Sequence, residues 1–491
     1  MITMKKMLSF LFFLILISCT QTTKKVISAP RIEQPQHAKL PAAPEMIHSI
    51  LANQTAILGS DWKTYYIVPN PTKQKIISKS FNGSRVSYIE HQDNGLSVIR
   101  TRSRKETTTP DTLTIQTKTK VGEANLSCAL NIQRNKGTVQ YASNVAQLKL
   151  SIDNHKKNHN PITIFLNTGN YGDFKIKNQT NITLVPSMGQ SPVFESLGIE
   201  HCSNIQVFSL DIQSEKKEGK AAFYVKIDSA SSNITIANCK IQAAEETESW
   251  EPEDWKSKAA NGIYSKGENC TFKNNLIRHV HHGMETKGDN CVVANNIIIR
   301  FAGDAIRNTG DNSLFDSNYL ADALVDDYSD KEGNHDDLFQ SWTFEQPISN
   351  LIIRNNIAIS CTDTTNHLQS KNVQGIACFD GFEENWLIEN NTVILEHPHG
   401  IALFGANNCK IKNNRIIQNP FNKYQFESLP WIMIHAHKDG RKSHNNLITN
   451  NITSVINVKD KASVTISQNT ITSKPFTKYF QNYENWIFDK K

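Results

Sequence analysis

The chain has 491 residues, of which 38% are hydrophobic and 20% charged, and its formal net charge is +6. This composition excludes collagen-like and largely disordered chains, a multi-span membrane protein and a small disulfide scaffold. The sequence contains no basic run and no basic stripe with interleaved aromatic residues, so nucleic acid is not an expected partner.

The first 18 residues have the pattern of a secretory signal peptide, since two lysines precede an apolar run over 8–17 that is too short to span a bilayer. Residues 16–19 read Leu-Ile-Ser-Cys and resemble the bacterial lipobox. The resemblance implies cleavage before Cys19, lipidation of that cysteine and an address in the bacterial cell envelope, at the outer membrane. An ordinary secretory signal is the alternative. Residues 19–45 have the composition of a tether.

Residues 46–140 carry short alternating segments with polar breaks, such as those at 64–68, 96–99 and 113–117. This pattern predicts a small β-sandwich. Its end, residues 125–133, resembles the last strand of immunoglobulin- or cadherin-like modules on secreted enzymes.

A repeat dominates residues 145–471. Each unit has an apolar segment, a polar turn and an Asn-Asn pair followed by an aliphatic residue. The clearest pairs are Asn274-Asn275, Asn295-Asn296, Asn355-Asn356, Asn390-Asn391, Asn413-Asn414 and Asn450-Asn451, with degenerate copies at Asn318 and Asn469. A base period with long insertions predicts an all-β fold, a right-handed parallel β-helix.

Because the same Asn-Asn turn recurs along the chain, the second Asn of each pair is predicted to stack on its copies, with each side-chain amide bonded to the next. Cys270, Cys291 and Cys409 each precede such an Asn by five residues, which predicts a further interior stack. No Cys-x-x-Cys or zinc spacing occurs, so we expect buried thiols rather than a metal site built on cysteine.

Alternation along the strands predicts which side chains face outward. The apolar residue that opens each coil sets the alignment. One outward column is then Tyr264, Glu285, Arg307, Gln340, Ala377 and Ala402. A second is Lys266, Lys287, Thr309, Trp342, Phe379 and Phe404. The preceding turn contributes Asn261, His282, Asp304, Asp337, Gln374 and His399. Charged residues are thus expected to cluster on the central coils, with Glu285 and Arg307 offsetting each other. A solvated, ion-paired sheet face is the alternative.

Residues 335–340 read His-Asp-Asp-Leu-Phe-Gln. They resemble the His-x-Asp-x-x-Gln signature that opens a coil in the secreted right-handed parallel β-helix (pectin-lyase-like) family of polysaccharide lyases, epimerases and tailspike-like proteins. The resemblance covers roughly residues 260–420 and makes His335, Asp337 and Gln340 site candidates.

The predicted activity is a uronate polysaccharide lyase or C5-epimerase. Either needs a cation or donor on the carboxylate, a base near C5 and, for the lyase, an acid at the leaving oxygen. We assign the carboxylate to Arg307 and Gln340 and sugar stacking to Trp342. The base is Lys287 or His335, and the donor is Tyr264 or His282. Lys266, Glu285 and Asp304 complete the predicted substrate-binding set.

Two alternatives remain open. A glycoside hydrolase would use Asp304 and Asp337 as paired carboxylates, and a non-catalytic β-helix would only bind or adhere to glycans. The acidic insertion offers Asp326, Asp327 and Asp330 as candidate Ca²⁺ ligands, although the calcium-loop spacing is absent and a solvated loop explains it equally. Scattered histidine pairs could ligate a transition metal but share no motif. The expected partners are an acidic polysaccharide and, through the lipid, a membrane; we expect a monomer, capped by an amphipathic segment at 472–491.

Overall fold

The computed structural model describes residues 53–67, 71–80, 84–91, 96–119, 122–135, 137–155, 160–215, 223–325, 336–343, 346–362, 366–419 and 422–471. The predicted signal peptide, tether and lipidated Cys19 lie outside the described residues. So do the capping segment, His335 and the calcium candidates Asp326, Asp327 and Asp330. No helix in the described ranges is long and apolar enough to cross a membrane.

The small N-terminal domain consists of two β-sheets. The four-stranded sheet has the order Gln54–Ile57, Gly122–Gln133, Asp111–Thr119, Pro71–Ser80, and the three-stranded sheet has the order Asp61–Ile67, Leu96–Ser103, Ser84–His91. Pairing is antiparallel except between Gln54–Ile57 and Gly122–Gln133, which run parallel. The likeness of this domain to immunoglobulin or cadherin modules stays a prediction.

The described residues from Thr138 to Ile471 form the predicted right-handed parallel β-helix, whose coils contribute to three long parallel sheets. Sheet 1 has 13 strands: Thr138–Ala142, Ile162–Leu166, Thr180–Pro186, Ser203–Phe208, Thr235–Ala237, Thr271–Lys273, Val292–Ala294, Leu314–Asp316, Ile352–Arg354, Leu387–Glu389, Lys410–Lys412, Asn446–Thr449 and Val464–Ser467. Sheet 2 has 12 strands: Gly169–Asn170, Pro192–Phe194, Asp211–Gln213, Lys240–Gln242, Leu276–Val280, Ile297–Phe301, Tyr319–Ala323, Ile357–Ile359, Thr392–Leu395, Arg415–Gln418, Ile452–Thr453 and Thr470–Ile471.

Sheet 3 has 11 strands and carries the predicted site: Asp173–Lys177, Ser196–Glu200, Phe223–Ile227, Asn261–Ser265, Met284–Thr286, Ile306–Asn308, Asp336–Trp342, Val373–Asp380, His399–Phe404, Trp431–His435 and Val455–Val458. A two-stranded sheet joins Ile348–Ser349 to Glu383–Glu384. Among the described residues the helices are Val145–His155 and Pro252–Lys258, with a 3-10 turn at Lys461–Ser463. Leu148 and Ile152 of the first helix join the solenoid's core.

The second Asn of each pair forms the predicted ladder at the turn from sheet 1 to sheet 2. Asn296 Oδ1 accepts both the backbone N–H (3.1 Å) and the side-chain N–H (3.0 Å) of Asn275, and Asn296 Nδ2 donates to the Phe272 carbonyl (2.9 Å). The bonds repeat through every coil up to Asn469. The first Asn of the pair has positive φ, 55° at Asn274, a conformation that asparagine tolerates better than most residues.

The interior of the coils is aliphatic and aromatic, with cysteines among them as predicted. Cys270, Cys291 and Cys409 are fully buried, and all eight cysteines from Cys128 to Cys409 are buried free thiols. Burial raises the pKa of the Cys409 thiol to about 12, so it behaves as a small apolar side chain.

The small domain docks on sheet 1 and on the turn into sheet 2. Lys63 Nζ lies 2.7 Å from Asp211 Oδ1, and both side chains are largely buried. Asn238 Nδ2 donates to the Lys63 carbonyl (2.7 Å), and the Trp62 ring packs 5.1 Å from the Phe208 ring. This interface therefore lies on another side of the solenoid from the outward face of sheet 3.

Candidate active site

The register of sheet 3 brings the first predicted outward column together. Tyr264 pairs with Glu285, Glu285 with Arg307, and Arg307 with Gln340. The column continues through Ala377 and Ala402. The neighbouring inward residues, such as Ile263 and Met284, are buried, as the alternation predicts. Adjacent members of the column lie on strands about 4.8 Å apart, so their side chains form one surface.

The turn from sheet 2 to sheet 3 contains a second ladder, which we call the mixed ladder: Asn261, His282, Asp304, Asp337, Gln374 and His399. Along its first part, each side chain accepts the backbone N–H of the next member. Asn261 Oδ1 accepts from His282 (3.1 Å), His282 Nδ1 from Asp304 (2.8 Å), and Asp304 Oδ1 from Asp337 (2.8 Å). At the far end His399 Nδ1 lies 2.9 Å from Gln374 Oε1. The ladder anchors the strands that carry the outward column.

Asp304 connects the mixed ladder to the cations. It is 1% exposed, and while its Oδ1 accepts the Asp337 N–H, its Oδ2 bonds to Arg307 Nε. Both carboxylate oxygens are thus engaged, one with the backbone and one with a guanidinium. Asp304 is therefore a positioning residue for Arg307, and Asp337, which is fully buried, follows it in the ladder.

His282 is a neutral member of the ladder. Burial lowers its pKa well below 6.5, and the neighbouring His281 and Arg307 lower it further. Because Nδ1 accepts the Asp304 N–H, the proton of the neutral ring is on Nε2. The 3.6 Å approach of His282 Nδ1 to Asp304 Oδ2 is consequently not an ion pair.

Three cations surround two aromatic rings on this face, an arrangement that we call the cationic cluster: Lys266, Lys287, Arg307, Tyr264 and Trp342. Lys287 Nζ lies 5.6 Å from the Tyr264 ring centre and 5.7 Å from that of Trp342. The Arg307 guanidinium lies 5.6 Å from the Trp342 ring, and Lys266 Nζ lies 5.9 Å from the Tyr264 ring. These distances are those of cation–π contacts, so residues spread over 79 positions of the chain meet at one place.

The charge pairs differ from the expected ones. Glu285 and Arg307 are neighbours in register, but Glu285 Oε1 pairs with Lys287 Nζ at 2.9 Å, and Arg307 pairs with Asp304. Within the described part of the chain, Lys266 Nζ has no carboxylate partner. The side chains of Lys287 and Arg307 stay partly exposed, at 34% and 20%, so both cations remain accessible to an anion.

A bulge interrupts the second predicted column. Between Gln340 and Trp342 the register shifts, so Trp342 pairs with Asp380 rather than with Phe379. The prediction of an unbroken column was wrong here, because an irregular strand changes which residues are opposite each other. Next to the bulge lies a cavity of about 300 Å³, lined by Asp337, Gln340, Ser341, Trp342, Ala377, Phe379 and Asp380.

Sequence reasoning missed the part of this face that precedes Tyr264. Lys226 pairs with Tyr264 in register, and the Phe223 ring lies 4.5 Å from the Tyr264 ring. Lys226 Nζ lies 5.7 Å from the Phe223 ring. The alternation in Phe223–Ile227 was the signal that would have extended the outward column by one coil.

A buried polar network beside the mixed ladder was also missed. Glu396 Oε2 accepts a hydrogen bond from Ser360 Oγ (2.7 Å), which in turn accepts from Asn419 Nδ2 (3.0 Å). Burial raises the pKa of Glu396 to about 7. In the same region, Ser370 Oγ donates to Asp336 Oδ2 (2.8 Å), at the start of the strand that carries Gln340. No shared motif marks this network: Ser360, Glu396 and Asn419 directly follow the sheet 2 strands of three successive coils, each with a different residue type, and Ser370 lies in an insertion.

The described residues contain no group of three or more histidine, cysteine, aspartate or glutamate side chains placed to hold a metal ion.

The outward columns and the mixed ladder bring most of the predicted site residues together. Of the predicted catalytic residues, these are Lys287, Arg307, Tyr264 and Asp337; of the predicted substrate-binding residues, they are Gln340, Trp342, Lys266, Glu285, His282 and Asp304. His335 and the calcium candidates lie outside the described residues.

A family model matches part of the chain, and several solved structures are similar to it at low identity. Similar solved structures include an alginate lyase from Paenibacillus sp. (11% identity, 68% of this chain and 99% of that chain, TM-score 0.34). They also include the catalytic domain of an α-1,3-glucanase in complex with tetrasaccharides (11% identity, 87% of this chain and 92% of that chain, TM-score 0.34). A third is a DFA-IIIase from Arthrobacter chlorophenolicus (9% identity, 69% of this chain and 87% of that chain, TM-score 0.35). No curated protein matches the chain. Residues 196–416, which contain every described candidate residue, match the family model of the right-handed β-helix region.

Proposed function

We propose that the outward face of sheet 3 binds an acidic, uronate-containing polysaccharide, and that its central coils catalyse β-elimination or the related C5 epimerisation. The observation that carries this proposal is the cationic cluster, in which Lys266, Lys287 and Arg307 surround the rings of Tyr264 and Trp342. A uronate offers a carboxylate for the cations and an apolar ring face for the aromatic residues.

Both reactions begin with the same step. The C5–H bond breaks, a base takes the proton, and the electron pair left on C5 is stabilised by the adjacent carboxylate. In β-elimination this pair forms the C4=C5 double bond while the C4–O bond breaks, and the leaving oxygen takes a proton from an acid. In epimerisation a proton returns to C5 from the opposite face. Neither reaction requires an oxidant, a reductant or a further reactant.

Arg307 and Gln340, neighbours in register, are assigned to the substrate carboxylate. Asp304 engages Nε of Arg307, so the terminal nitrogens of the guanidinium are the ones placed for the substrate. Holding the carboxylate with fixed donors stabilises the negative charge that develops when the C5 proton leaves. Trp342, beside both cations, serves as the stacking platform.

The base is assigned to His335. Lys287 is paired with Glu285, and acting as a base would require the neutral amine and leave that carboxylate without its counter-ion. Lys287 therefore acts as a second cation on the substrate, together with Lys266. Tyr264 or the Nε2–H of His282 supplies the proton to the leaving oxygen. The hydrolase alternative is disfavoured, because both oxygens of Asp304 are already engaged.

The test is an absorbance assay for the unsaturated uronate on a panel of acidic polysaccharides: alginates, pectate, glycosaminoglycans and bacterial capsules, with and without chelator. The unsubstituted protein should make the absorbance rise. The rate of this rise should be about 10²- to 10³-fold lower in Arg307→Ala, the usual effect of removing a donor that stabilises developing charge. The matched control is Arg354→Ala, which removes an Arg–Asp ion pair on sheet 1 and should keep the activity.

Other results would redirect the assignment. New reducing ends without absorbance would indicate hydrolysis. Incorporation of solvent deuterium at C5 without chain cleavage would indicate an epimerase. Binding of the polymer with no turnover in any assay would contradict the enzymatic proposal and leave a glycan-binding protein. Loss of activity in Lys287→Ala but not in His335→Ala would reverse the assignment of the base.

A further inference from the structure

The C-terminal part of the sheet 3 face carries a row of aromatic side chains that are not members of the cationic cluster. We call it the aromatic row: Phe379, His399, Phe404, Trp431 and His435. The ring centres of Phe379 and Phe404 lie 5.0 Å apart, and those of Phe379 and His399 4.8 Å apart. His399 continues to Trp431 at 5.5 Å and Phe404 to His435 at 5.8 Å. All five side chains remain partly exposed.

The row lies over a floor of small residues. Ala377 and Ala402 occupy the outward column that carries Glu285, Arg307 and Gln340 on earlier coils. They are nevertheless only 2% and 0% exposed. Side chains at an outward position can be that well buried only if neighbouring groups cover them. The groups at hand are the flanking rings of the row and Met433, which follows Ala402 in the column. Alanine thus allows the rings to settle on the sheet and present a broad apolar surface.

The row is continuous with the proposed site. The cavity of about 300 Å³ is lined by Gln340 and Trp342 of the proposed site, by Ala377 and Phe379 of the row's strand, and by Asp337 and Asp380. Two coils separate Arg307 from Ala377 in register, and since each coil adds about 4.8 Å, the row begins about 10 Å beyond the carboxylate-binding arginine. A polymer lying along the solenoid axis, across the strands, would cross both surfaces.

The charge of the two surfaces differs. The strands that carry the row read VQGIACFD, HGIALF and WIMIH, with no lysine or arginine. Lys438, beside the row, is already bonded to Asp380. A carboxylate laid on this surface would therefore lose hydration without gaining an unpaired cation, which costs free energy. A neutral pyranose, by contrast, buries its apolar C–H face on a ring and keeps its hydroxyl groups in water.

We propose that the natural ligand of this face is a heteropolysaccharide, in which a uronate lies over the cationic cluster and neutral sugars stack on the aromatic row. The uronate end of this inference rests on the proposed function, whereas the neutral end rests on the aromatic row alone. The arrangement sets the order of sugars along the groove: acidic over the earlier coils, neutral over the later ones.

The experiment measures the affinity of the full chain for a library of defined oligosaccharides of three kinds: all-uronate, block (a run of uronates joined to a run of neutral sugars) and all-neutral. The unsubstituted protein should prefer block oligomers. Phe379→Ala and Phe404→Ala should each weaken that binding by about tenfold, the equivalent of one stacking contact, and reduce the preference over all-uronate oligomers. The matched control is Tyr141→Ala, which removes a 64% exposed ring stacked on Phe165 of sheet 1. It should leave the affinity for all three kinds of oligosaccharide unchanged. Phe404→Leu tests whether an apolar side chain alone suffices; it should bind less well than phenylalanine.

The outcomes separate this inference from the proposed function. Arginine-dependent and ring-dependent binding of block oligomers, with no turnover, would support the ligand and contradict the enzyme. Equal loss of affinity for all-uronate and block oligomers in Phe404→Ala, or no loss for either, would overturn the heteropolymer. Ring-dependent binding of neutral oligomers that Arg307→Ala does not affect would overturn both proposals. Failure of the unsubstituted protein to bind any block oligomer would also overturn the inference.

Discussion

Two ladders of side chains run along this solenoid and meet the same structural need with different chemistry. At the turn from sheet 1 to sheet 2, every rung up to Asn469 is an asparagine whose oxygen accepts the N–H of the preceding rung. At the turn from sheet 2 to sheet 3, an asparagine, a histidine and an aspartate in turn accept the N–H of the following rung. Each ladder gives a buried backbone donor its acceptor.

The difference shows what a rung requires. An acceptor of the right reach is enough, so the second turn can hold titratable and charged groups without losing its backbone bonds. Asp304 uses one oxygen for the rung and the other for Arg307. The mixed ladder therefore combines a structural function with the positioning of the cationic cluster, whereas the asparagine ladder has only the structural one.

The largest effect is expected from the asparagine ladder. Asn356→Ala removes the acceptor of the Asn318 backbone N–H (2.9 Å) and the donor to the Phe315 carbonyl (3.0 Å). Because both groups are buried, the free energy of unfolding should fall by about 3–5 kcal/mol in a guanidinium titration. Asn350→Gly is the control: it removes an exposed amide bond to Asn312 but suits the positive φ, and should cost less than about 1 kcal/mol. Equal losses would show that the ladder is not what stabilises the coils.

The next effect concerns Glu396, whose buried network adjoins the mixed ladder. Its pKa of about 7 in the folded protein lies above the ordinary value of 4.5. The unfolded chain therefore releases the proton first, and stability that is present below pH 4.5 is lost as the pH rises to 7. Glu396→Gln removes this loss, so the variant should match the parent at pH 4 and exceed it by up to about 3 kcal/mol above pH 7. Unfolding titrations at both pH values measure the difference; a variant less stable at pH 7 would contradict it.

The two functions of Asp304 should separate by substitution. Asp304→Asn keeps an acceptor for the Asp337 N–H but removes the charge that faces Arg307, so kcat/KM should fall by about tenfold with little change in the unfolding midpoint. Asp304→Ala also leaves the buried Asp337 N–H without an acceptor. It should lower the free energy of unfolding by a further amount of about 2 kcal/mol. Full activity in Asp304→Asn would show that Arg307 does not need this partner.

The smallest effect is expected at His282. Since burial lowers its pKa, the unfolded chain binds more protons below pH 6.5, and the stability that neutral His282 contributes above pH 6.5 is lost as the pH falls. This loss amounts to about 1.4 kcal/mol per pH unit. His282→Asn keeps an acceptor, as Asn261 does one coil earlier, and should reduce the slope of stability against pH between 6.5 and 5. Asn356→Ala should leave that slope unchanged, because the asparagine ladder has no titratable member.

Much of the architecture was predictable because parallel stacking converts a sequence repeat into spatial neighbours. The Asn-Asn pairs predicted the β-helix and its ladder, and alternation placed Tyr264, Glu285, Arg307 and Gln340 in one outward column. The same alternation gave the change from charged side chains to Ala377 and Ala402 on later coils. These features depend only on register, which the repeat specifies.

Other features depend on side-chain direction and on insertions, which no period encodes. The choice of Lys287 rather than Arg307 as the partner of Glu285, and the bulge at Trp342, follow from local geometry. The Glu396 network joins different residue types from the turns of several coils, and the Lys63–Asp211 pair that docks the small domain joins residues 148 positions apart. The sequence by itself thus determined the coil and the content of its faces, because hydrogen bonding between identical turns sets the register. Only the tertiary structure decided which charges pair and which rings touch, because those contacts depend on rotamers and on loops of unequal length.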